Sequence, residues 1–341
     1  MEFWSEIGVF TIKTLVLFLF FAGIIIVIAV MAMKSQMKSA LEIEKLNEKM
    51  TSYENSFKSI LLDKNQLKEE KKKDKKAKKE KDKDKELTNK SRLFVVDFHG
   101  DIKASQVENL REEITAILTT ANDKDEILVC VESPGGVVNN YGLAASELVR
   151  VRERNIPLTI AVDKVAASGG YLMACTANKI LCAPFGIVGS IGVVAQVPNF
   201  NRLLKKYDVD FKEYTAGDFK RTVSLFGEIT PKGEEKFRDQ LEQTHQLFKS
   251  FVSRYRPQLD VEKVGTGEYW FGEQCLELKL IDQIKTSDDY ILEAAKDRTV
   301  LKVKFEKKQG LSEKLSGILG QAFELAFEKI VAKMEPAQRL L

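Results

Sequence analysis

The sequence is poor in cysteine and histidine, which restricts the chemistry open to it. Four cysteines and two histidines occur in 341 residues, and no two cysteines form a Cys-x-x-Cys pair. A zinc site is therefore not expected, and we predict neither a metal nor another cofactor. The cysteines lie among mostly apolar residues, so we interpret them all as buried structural thiols: Cys130, Cys175, Cys182 and Cys275.

The chain also lacks an excess of charge of either sign. Charged residues make up 30% of the sequence, yet the formal net charge is only +3. Dedicated nucleic-acid-binding proteins usually carry a clear basic excess, so we expect no nucleic-acid partner. A hydrophobic fraction of 44% over this length is enough for one substantial globular core or two smaller ones.

One segment has no charged residue at all. Residues 14–33 read TLVLFLFFAGIIIVIAVMAM, which as a helix covers the roughly 30 Å of a bilayer core. The run is too long for a signal-peptide core, and no clear cleavage site follows it. We therefore predict a transmembrane helix at 14–33 that anchors the chain in a lipid bilayer, preceded by a short flank at 1–13.

A highly charged segment follows the predicted span. Residues 64–90 are nearly all Lys, Glu and Asp, without apolar periodicity. Such a composition cannot bury enough surface to offset the entropy lost on ordering. We interpret residues 34–90 as a charged stalk or linker, in which residues 38–63 can form a helix.

From Ser91 onward, apolar strands alternate with helical patterns. Strands are predicted at 93–98, 127–131, 158–163, 179–183 and 191–197, and helices at 104–120, 141–154 and 168–176. This alternation predicts a largely parallel sheet with helices on both faces. Thr230 and Pro231 are typical of a helix start, and that helix should run to Tyr255. We therefore predict an α/β domain at 91–305, followed by an amphipathic C-terminal helix within 306–341.

Two glycine-rich turns follow apolar strands, SPGG at 133–136 and AASGGY at 166–171. A serine nucleophile needs small neighbours, so that a carbonyl carbon can approach, and nearby N–H groups that hold an oxyanion. Ser168 has such neighbours, although the pattern is not the Gly-x-Ser-x-Gly of α/β-hydrolases. Taken alone, the segment is more typical of a tight turn in which Ser168 is only a cap.

A serine hydroxyl also needs a base, and the histidines are poor candidates. His245 lies in an ordinary helical stretch and His99 at a strand end, without the flanking pattern of a catalytic base. A lysine can accept the serine proton once burial has disfavoured its charged form. On physical grounds alone, Lys220, Lys164 and Lys179 are all candidates.

Four ordered motifs resemble the signal peptide peptidase A family of serine proteases, peptidase family S49, and in particular its SohB-type inner-membrane branch. The resemblance extends from residue 93 to about residue 300. It implies a ClpP/crotonase-like superfold, assembly into ring-like homo-oligomers, and extended peptide substrates such as signal-peptide remnants. The motifs are ESPGG at 132–136, DKVAASGGY at 163–171, VGSIG at 188–192 and AGDFKRT at 216–222.

The resemblance also implies roles for single residues. Ser168 matches the family nucleophile and Lys220 its general base. Ser190 matches a serine whose hydroxyl orients the lysine amine. The backbone N–H groups of Gly136 and Gly169 match the oxyanion hole.

One residue departs from the family pattern, and the number of protease units bears on assembly. Lys279 stands in LKLID (278–282), where the family usually has glycine. The chain carries a single protease unit, so it must associate with further copies to build a multi-subunit chamber.

Two arguments disagree about which side of the membrane carries the protease domain. Lysines are more numerous after the predicted span than before it, which favours a cytoplasmic domain. The family's work on signal-peptide remnants favours the periplasmic face of the bacterial inner membrane, and we lean to that side.

Three functions fit the sequence to different degrees. We prefer a membrane-anchored serine endopeptidase with a Ser/Lys dyad, acting by acyl transfer. A crotonase-like acyl-CoA enzyme usually needs carboxylates near the thioester, and Glu132 and Asp163 form no obvious pair. A catalytically silent, protease-like membrane scaffold would need none of Ser168, Ser190 and Lys220.

Overall fold

A computed structural model describes residues 40–63, 65–67, 69 and 91–306. The predicted membrane span at 14–33 lies outside these residues, as does the predicted C-terminal helix beyond residue 306. Among the residues described, none of the helices has the length and apolar character needed to cross a membrane. The contacts reported below belong to the unit formed by Glu42–Lys304.

Ten strands and nine helices occur in the described part of the chain. The strands are β1 (Ala40–Lys45), β2 (Arg92–His99), β3 (Glu126–Glu132), β4 (Leu158–Val162), β5 (Val165–Ala167), β6 (Lys179–Cys182), β7 (Ile187–Gly189), β8 (Tyr269–Phe271), β9 (Gln283–Ile284) and β10 (Thr299–Glu306). The helices are α1 (Leu46–Leu61), α2 (Val107–Leu118), α3 (Val138–Arg152), α4 (Gly169–Ala174), α5 (Asn201–Lys206), α6 (Pro231–Tyr255), α7 (Val261–Val264), α8 (Gly272–Glu277) and α9 (Ser287–Ala294).

The main sheet has seven strands in the order β1-β10-β2-β3-β4-β6-β9. Every neighbouring pair from β10 to β9 is parallel. A second sheet, β5-β7-β8, combines one parallel and one antiparallel pair. The predicted α/β class and the largely parallel main sheet are confirmed.

Both faces of the main sheet are covered. Successive side chains of a strand point to opposite faces, so one strand contributes to both cores. In β2, Phe94, Val96 and Phe98 belong to the large core, which also includes buried residues of α2, α3 and α4. Leu93 and Val95 belong to a smaller core on which partly buried residues of α9 pack. Strands buried on both faces read as continuous apolar runs, which is why the sequence pattern identified them.

Strand β1 and helix α1 fall within the segment predicted as a linker, and they make contacts with the sheet. Leu46 is buried in the smaller core. The Asn47 side chain donates to the carbonyls of Ala295 and Arg298 and accepts a hydrogen bond from the Val300 amide. This one residue therefore joins the start of α1 to the connection between α9 and β10.

One predicted strand is wrong. Residues 191–197 contain no strand, although their apolar pattern favours one. Strand β7 ends at Gly189, and Ser190 adopts a positive φ of 53° that turns the backbone out of extended geometry. Val194 and Val197 are consequently exposed rather than paired in a sheet.

The helix predicted after Thr230 is confirmed. Pro231 is its first residue, and the Thr230 side chain accepts a hydrogen bond from the Gly233 amide, so it acts as the N-cap. The cysteine prediction is confirmed for Cys175, Cys182 and Cys275, which are buried and free, while Cys130 is only partly buried. Burial raises the pKa of Cys182 and of Cys275 to about 12, so these thiols stay protonated.

Candidate active site

Ser168 lies in a sharp turn between β5 and α4. Its φ of 50° and ψ of −117° fall in a region that L-residues rarely adopt. The Ser168 amide donates to the Gly189 carbonyl over 2.8 Å, and the Ser168 carbonyl accepts from Leu172 over 2.9 Å. The surrounding backbone thus holds the serine in a strained geometry, and such strain is found most often at functional sites.

The SPGG turn packs directly against this serine. Ser133 is bonded to β5 on both sides: its amide donates to Val165, and its carbonyl accepts from Ala167. A Cβ atom on Gly135 would lie 2.7 Å from both the Gly169 nitrogen and the Ser168 Cβ. Only glycine permits so close an approach, and the φ of 89° at Gly135 requires glycine as well.

The two N–H groups proposed for the oxyanion hole flank this contact. Gly169 is the first residue of α4, so its N–H has no acceptor within the helix. Gly136 follows Gly135 and is exposed, and no hydrogen bond from its N–H to another protein group is found in the described residues. Both groups are therefore available to a ligand.

Ser190 reaches the neighbourhood of Ser168 through strand pairing. In the parallel pair β5–β7, Ala167 lies opposite Gly189, so each serine is the next residue after a paired one. The Ser190 amide is bonded to the Glu268 carbonyl, which keeps this turn beside β8. The parallel pairing thus places Ser168 and Ser190 just beyond the same end of the two strands.

Lys220 is not brought to Ser168 in the same way. It lies in an exposed lobe formed by residues 193–230, and its backbone amide donates to the Gly217 carbonyl. In the described part of the chain, its amine makes no hydrogen bond to either serine. The predicted Ser/Lys dyad therefore stays a prediction.

The lobe has internal order and an apolar surface. Asn199 donates to the carbonyls of Ser224 and Gly227, and Asn201 donates to that of Phe226. The Phe226 ring packs near the rings of Phe200 and Phe211. Large apolar side chains are nevertheless exposed along the lobe, among them Val194, Phe200, Leu203, Tyr207, Tyr214 and Phe226.

In the described residues, neither histidine is hydrogen-bonded to Ser168. The His245 Nε2 atom lies 3.2 Å from the Ile191 carbonyl oxygen, which can only accept a hydrogen bond. A hydrogen bond there would come from the tautomer protonated at Nε2, which leaves Nδ1 as the acceptor of the ring. The His99 ring is exposed and lies 3.6 Å from a Glu132 carboxylate oxygen.

Tyr141, which the sequence does not single out, supports the site through Ser133 of the SPGG turn. The Ser133 hydroxyl lies 2.6 Å from the Tyr141 hydroxyl, and the Ser133 oxygen accepts a hydrogen bond from the Gly135 amide. Tyr141 comes from α3 and is fully buried. Nothing in the pattern around Tyr141 distinguishes it from an ordinary core aromatic, so the sequence offers no signal for this contact.

A serine in a strained strand-to-helix turn, beside a glycine turn with free N–H groups, is typical of serine hydrolases. The sequence also matches two family models. The model described as Peptidase family S49 N-terminal matches residues 2–148, and the model described as Peptidase family S49 matches residues 150–301. The chain therefore belongs to peptidase family S49.

Named relatives agree with this assignment. A Haemophilus influenzae protein named Probable protease SohB is 59% identical over 225 residues, which are 66% of this chain and 64% of the relative. A protein of the same name from Buchnera aphidicola subsp. Schizaphis graminum is 46% identical over 286 residues, 82% of this chain and 84% of the relative. The first match thus spans less than two thirds of that relative's length.

Solved structures show more distant similarity. A mutant of the 1510-N membrane-bound stomatin-specific protease, in complex with a substrate peptide, has a TM-score of 0.41 and 14% identity, and the match covers 68% of this chain and 98% of that one. A mutant of ClpP1 from Listeria monocytogenes has a TM-score of 0.36 and 11% identity, over 59% of this chain and 93% of that one.

Proposed function

We propose that the chain is a membrane-anchored serine endopeptidase in which Ser168 is the nucleophile and Lys220 the general base. The observation that carries this proposal is the strained turn at Ser168, packed against Gly135. Strained conformations of this kind persist only where the surrounding structure enforces them, and they cluster at active sites. Membership of peptidase family S49 supports the same activity.

The chemistry would be acyl transfer. The uncharged Lys220 amine accepts the Ser168 proton as Oγ bonds to the peptide carbonyl carbon, and the N–H groups of Gly136 and Gly169 hold the oxyanion. Lys220 then donates that proton to the leaving amine as the C–N bond breaks. Water next attacks the acyl-enzyme, which releases the acid and restores Ser168. Ser190 would orient the lysine amine.

Extended peptides, such as signal-peptide remnants, are the substrates that this proposal favours. The small sheet ends in β8, which pairs with β7 on one side. An extended peptide can add to a sheet by main-chain hydrogen bonds, so that its scissile carbonyl is held in place. The anchor at 14–33 and the periplasmic position of the domain are part of the proposal and rest on the sequence alone.

A fluorophosphonate probe tests the nucleophile and the base. We expect the full-length chain to be labelled at Ser168, with no labelling of Ser168→Ala, because the probe bonds only to an activated serine. Lys220→Met should slow labelling at least about a hundredfold, the order of one general base. The measurement is adduct mass on the intact protein and on the Ser168 peptide.

Matched variants serve as controls. Ser146→Ala removes another serine hydroxyl, which bonds only to the Gly142 carbonyl within α3, and should leave labelling unchanged. Lys212→Met removes another exposed lysine of the same lobe. Equal labelling of Ser168→Ala and the wild type would exclude Ser168 as the nucleophile, and equal labelling of Lys220→Met would exclude the dyad.

A further inference from the structure

Four groups form a chain of hydrogen bonds beneath the SPGG turn. The Gly135 amide donates to the Ser133 oxygen over 3.1 Å. The Ser133 and Tyr141 hydroxyl oxygens are 2.6 Å apart, and the Tyr141 hydroxyl donates to the Asp101 carbonyl over 2.7 Å. Because a carbonyl only accepts, the single Tyr141 proton points to Asp101, and the Ser133 proton must then point to Tyr141.

Two glycines pack closely against this chain of hydrogen bonds. A Cβ atom added to Gly100 would lie 2.3 Å from the Ser133 oxygen and 2.4 Å from the Tyr141 hydroxyl. One added to Gly169 would lie 2.3 Å from the Tyr141 ring. There is consequently no room for a side chain at position 100 or 169, and Tyr141 contacts the residue that follows the nucleophile.

The segment that follows β2 is linked to the SPGG turn at two points. The Asp101 carbonyl accepts from Tyr141, and the neighbouring Ile102 carbonyl accepts from the Val137 amide over 2.8 Å. The peptide bond between Gly135 and Gly136 lies between these two attachments. Its N–H belongs to Gly136, one of the two donors proposed for the oxyanion.

We infer that Tyr141, acting through Ser133, is a positioning residue that orients the Gly136 N–H for the oxyanion. This inference rests on the proposed protease function. Tyr141 would touch neither substrate nor Ser168 Oγ, and its effect would come from the direction it gives to the Gly135–Gly136 peptide. Neither glycine has a side chain that could hold this peptide, so contacts with neighbouring residues have to set its orientation.

The phenol is suited to a role as a permanent donor. Burial raises the pKa of Tyr141, the nearby Asp101 carboxylate adds to the rise, and the hydrogen bond with Ser133 opposes it. The pKa stays above its ordinary value, so Tyr141 keeps its proton throughout the neutral range. Its role then requires no change in ionisation.

The test is Tyr141→Phe in the full-length chain, which keeps the ring and removes the hydroxyl. We expect kcat for a chromogenic peptide ester to fall about tenfold to a hundredfold, less than for loss of a whole oxyanion donor, while KM changes less than about twofold. Fluorophosphonate labelling of Ser168 should slow by a similar factor, because that reaction also develops charge on an oxygen in the same hole.

Two further variants separate positioning from general damage to the fold. Tyr171→Phe removes another fully buried hydroxyl, which donates to the Leu280 carbonyl, and should lower stability without a comparable loss of kcat. Ser133→Ala should reproduce the loss seen with Tyr141→Phe. The double variant should be no worse than the more severe single variant, since both break one chain of hydrogen bonds.

The outcomes separate the positioning role of Tyr141 from the proposed protease function on which it rests. An unlabelled wild-type enzyme would contradict the protease function itself. A labelled wild type with an equal rate for Tyr141→Phe would overturn the positioning role and leave the protease intact. Additive losses in the double variant, or an equal kcat loss in Tyr171→Phe, would also overturn it. If Tyr141→Phe fails to fold, Ser133→Ala provides the same comparison.

Discussion

Ser168, Ser190 and Lys279 share a positive φ, with values of 50°, 53° and 62°. The conformation costs an L-residue on the order of 1–2 kcal/mol. At the two serines it coincides with the proposed active site, where a side chain is needed and glycine cannot serve. At Lys279 no such need is visible, and the family usually has glycine at this position.

The strain at Lys279 has a local cause. It follows α8 at the position where the chain leaves the helix through a left-handed residue. The Lys279 amide donates to the Leu276 carbonyl, and the Leu280 amide donates to the Cys275 carbonyl. These two bonds form a Schellman motif, whose left-handed residue is usually glycine. The Lys279 side chain is exposed, so the backbone alone explains the family preference.

We predict that Lys279→Gly raises the free energy of unfolding by roughly 0.5–1 kcal/mol, because the strain of a Cβ at positive φ is removed. Urea unfolding followed by circular dichroism measures the change. Lys279→Ala removes the charge but keeps the Cβ, so it should show little gain. If both variants gain equally, the stabilisation comes from the lost charge and not from the backbone.

At the scale of elements, α1 is attached to the sheet mainly at its first turn. Asn47 satisfies two carbonyls between α9 and β10 and one amide of β10. Farther along α1, Tyr53, Phe57 and Ile60 are exposed. The attachment of α1 to the domain therefore depends on Leu46 and Asn47 more than on the later turns of the helix.

We expect Asn47→Ala to destabilise the domain by about 1–3 kcal/mol, since the Val300 amide loses its acceptor in a partly buried position. Thermal unfolding of the full-length chain gives the difference. Asn55→Ala, on an exposed part of the same helix, should change stability by less than about 0.5 kcal/mol. No difference between the two variants would mean that α1 contributes little to the domain.

The elements that could be predicted from the sequence are those whose pattern has a single physical explanation. Apolar runs such as 127–131 are buried on both faces, and Thr230 with Pro231 caps a helix. Residues 191–197 are similarly apolar, yet residues 194–197 are exposed, because the backbone turns at Ser190. Similarly, the proximity of Ser168 and Ser190 depends on a strand pairing that no local pattern contains, so only the family motif pointed to it.

At the scale of the whole molecule, no hydrogen bond joins the Lys220 amine to Ser168 in the described part of the chain. Lys220 belongs to an exposed lobe with many exposed apolar side chains. Apolar surfaces of this extent usually mark an interaction site. We expect the homo-oligomer that the family resemblance implies to pack this lobe on a second copy of the chain, whose Ser168 then receives Lys220.

Mixing two inactive variants tests this arrangement. We predict that Lys220→Met, co-expressed with a differently tagged Ser168→Ala chain, regains labelling at its own Ser168, because the partner supplies the missing amine. Intact-protein mass spectrometry identifies the labelled chain. Co-expression with a chain carrying both substitutions should restore nothing. If mixed oligomers form without any recovery, Lys220 acts within its own chain.

The pairing of Ala167 with Gly189 also limits how this protein can change over time. Each serine stands one step beyond that pair, and side chains along a strand alternate between faces. An insertion or deletion that shifted β7 by a single position would place another residue opposite Ala167 and move Ser190 out of step with Ser168. Evolution can therefore replace many residues between 168 and 189, but alterations in the length of that stretch must leave the alignment of the two strands untouched.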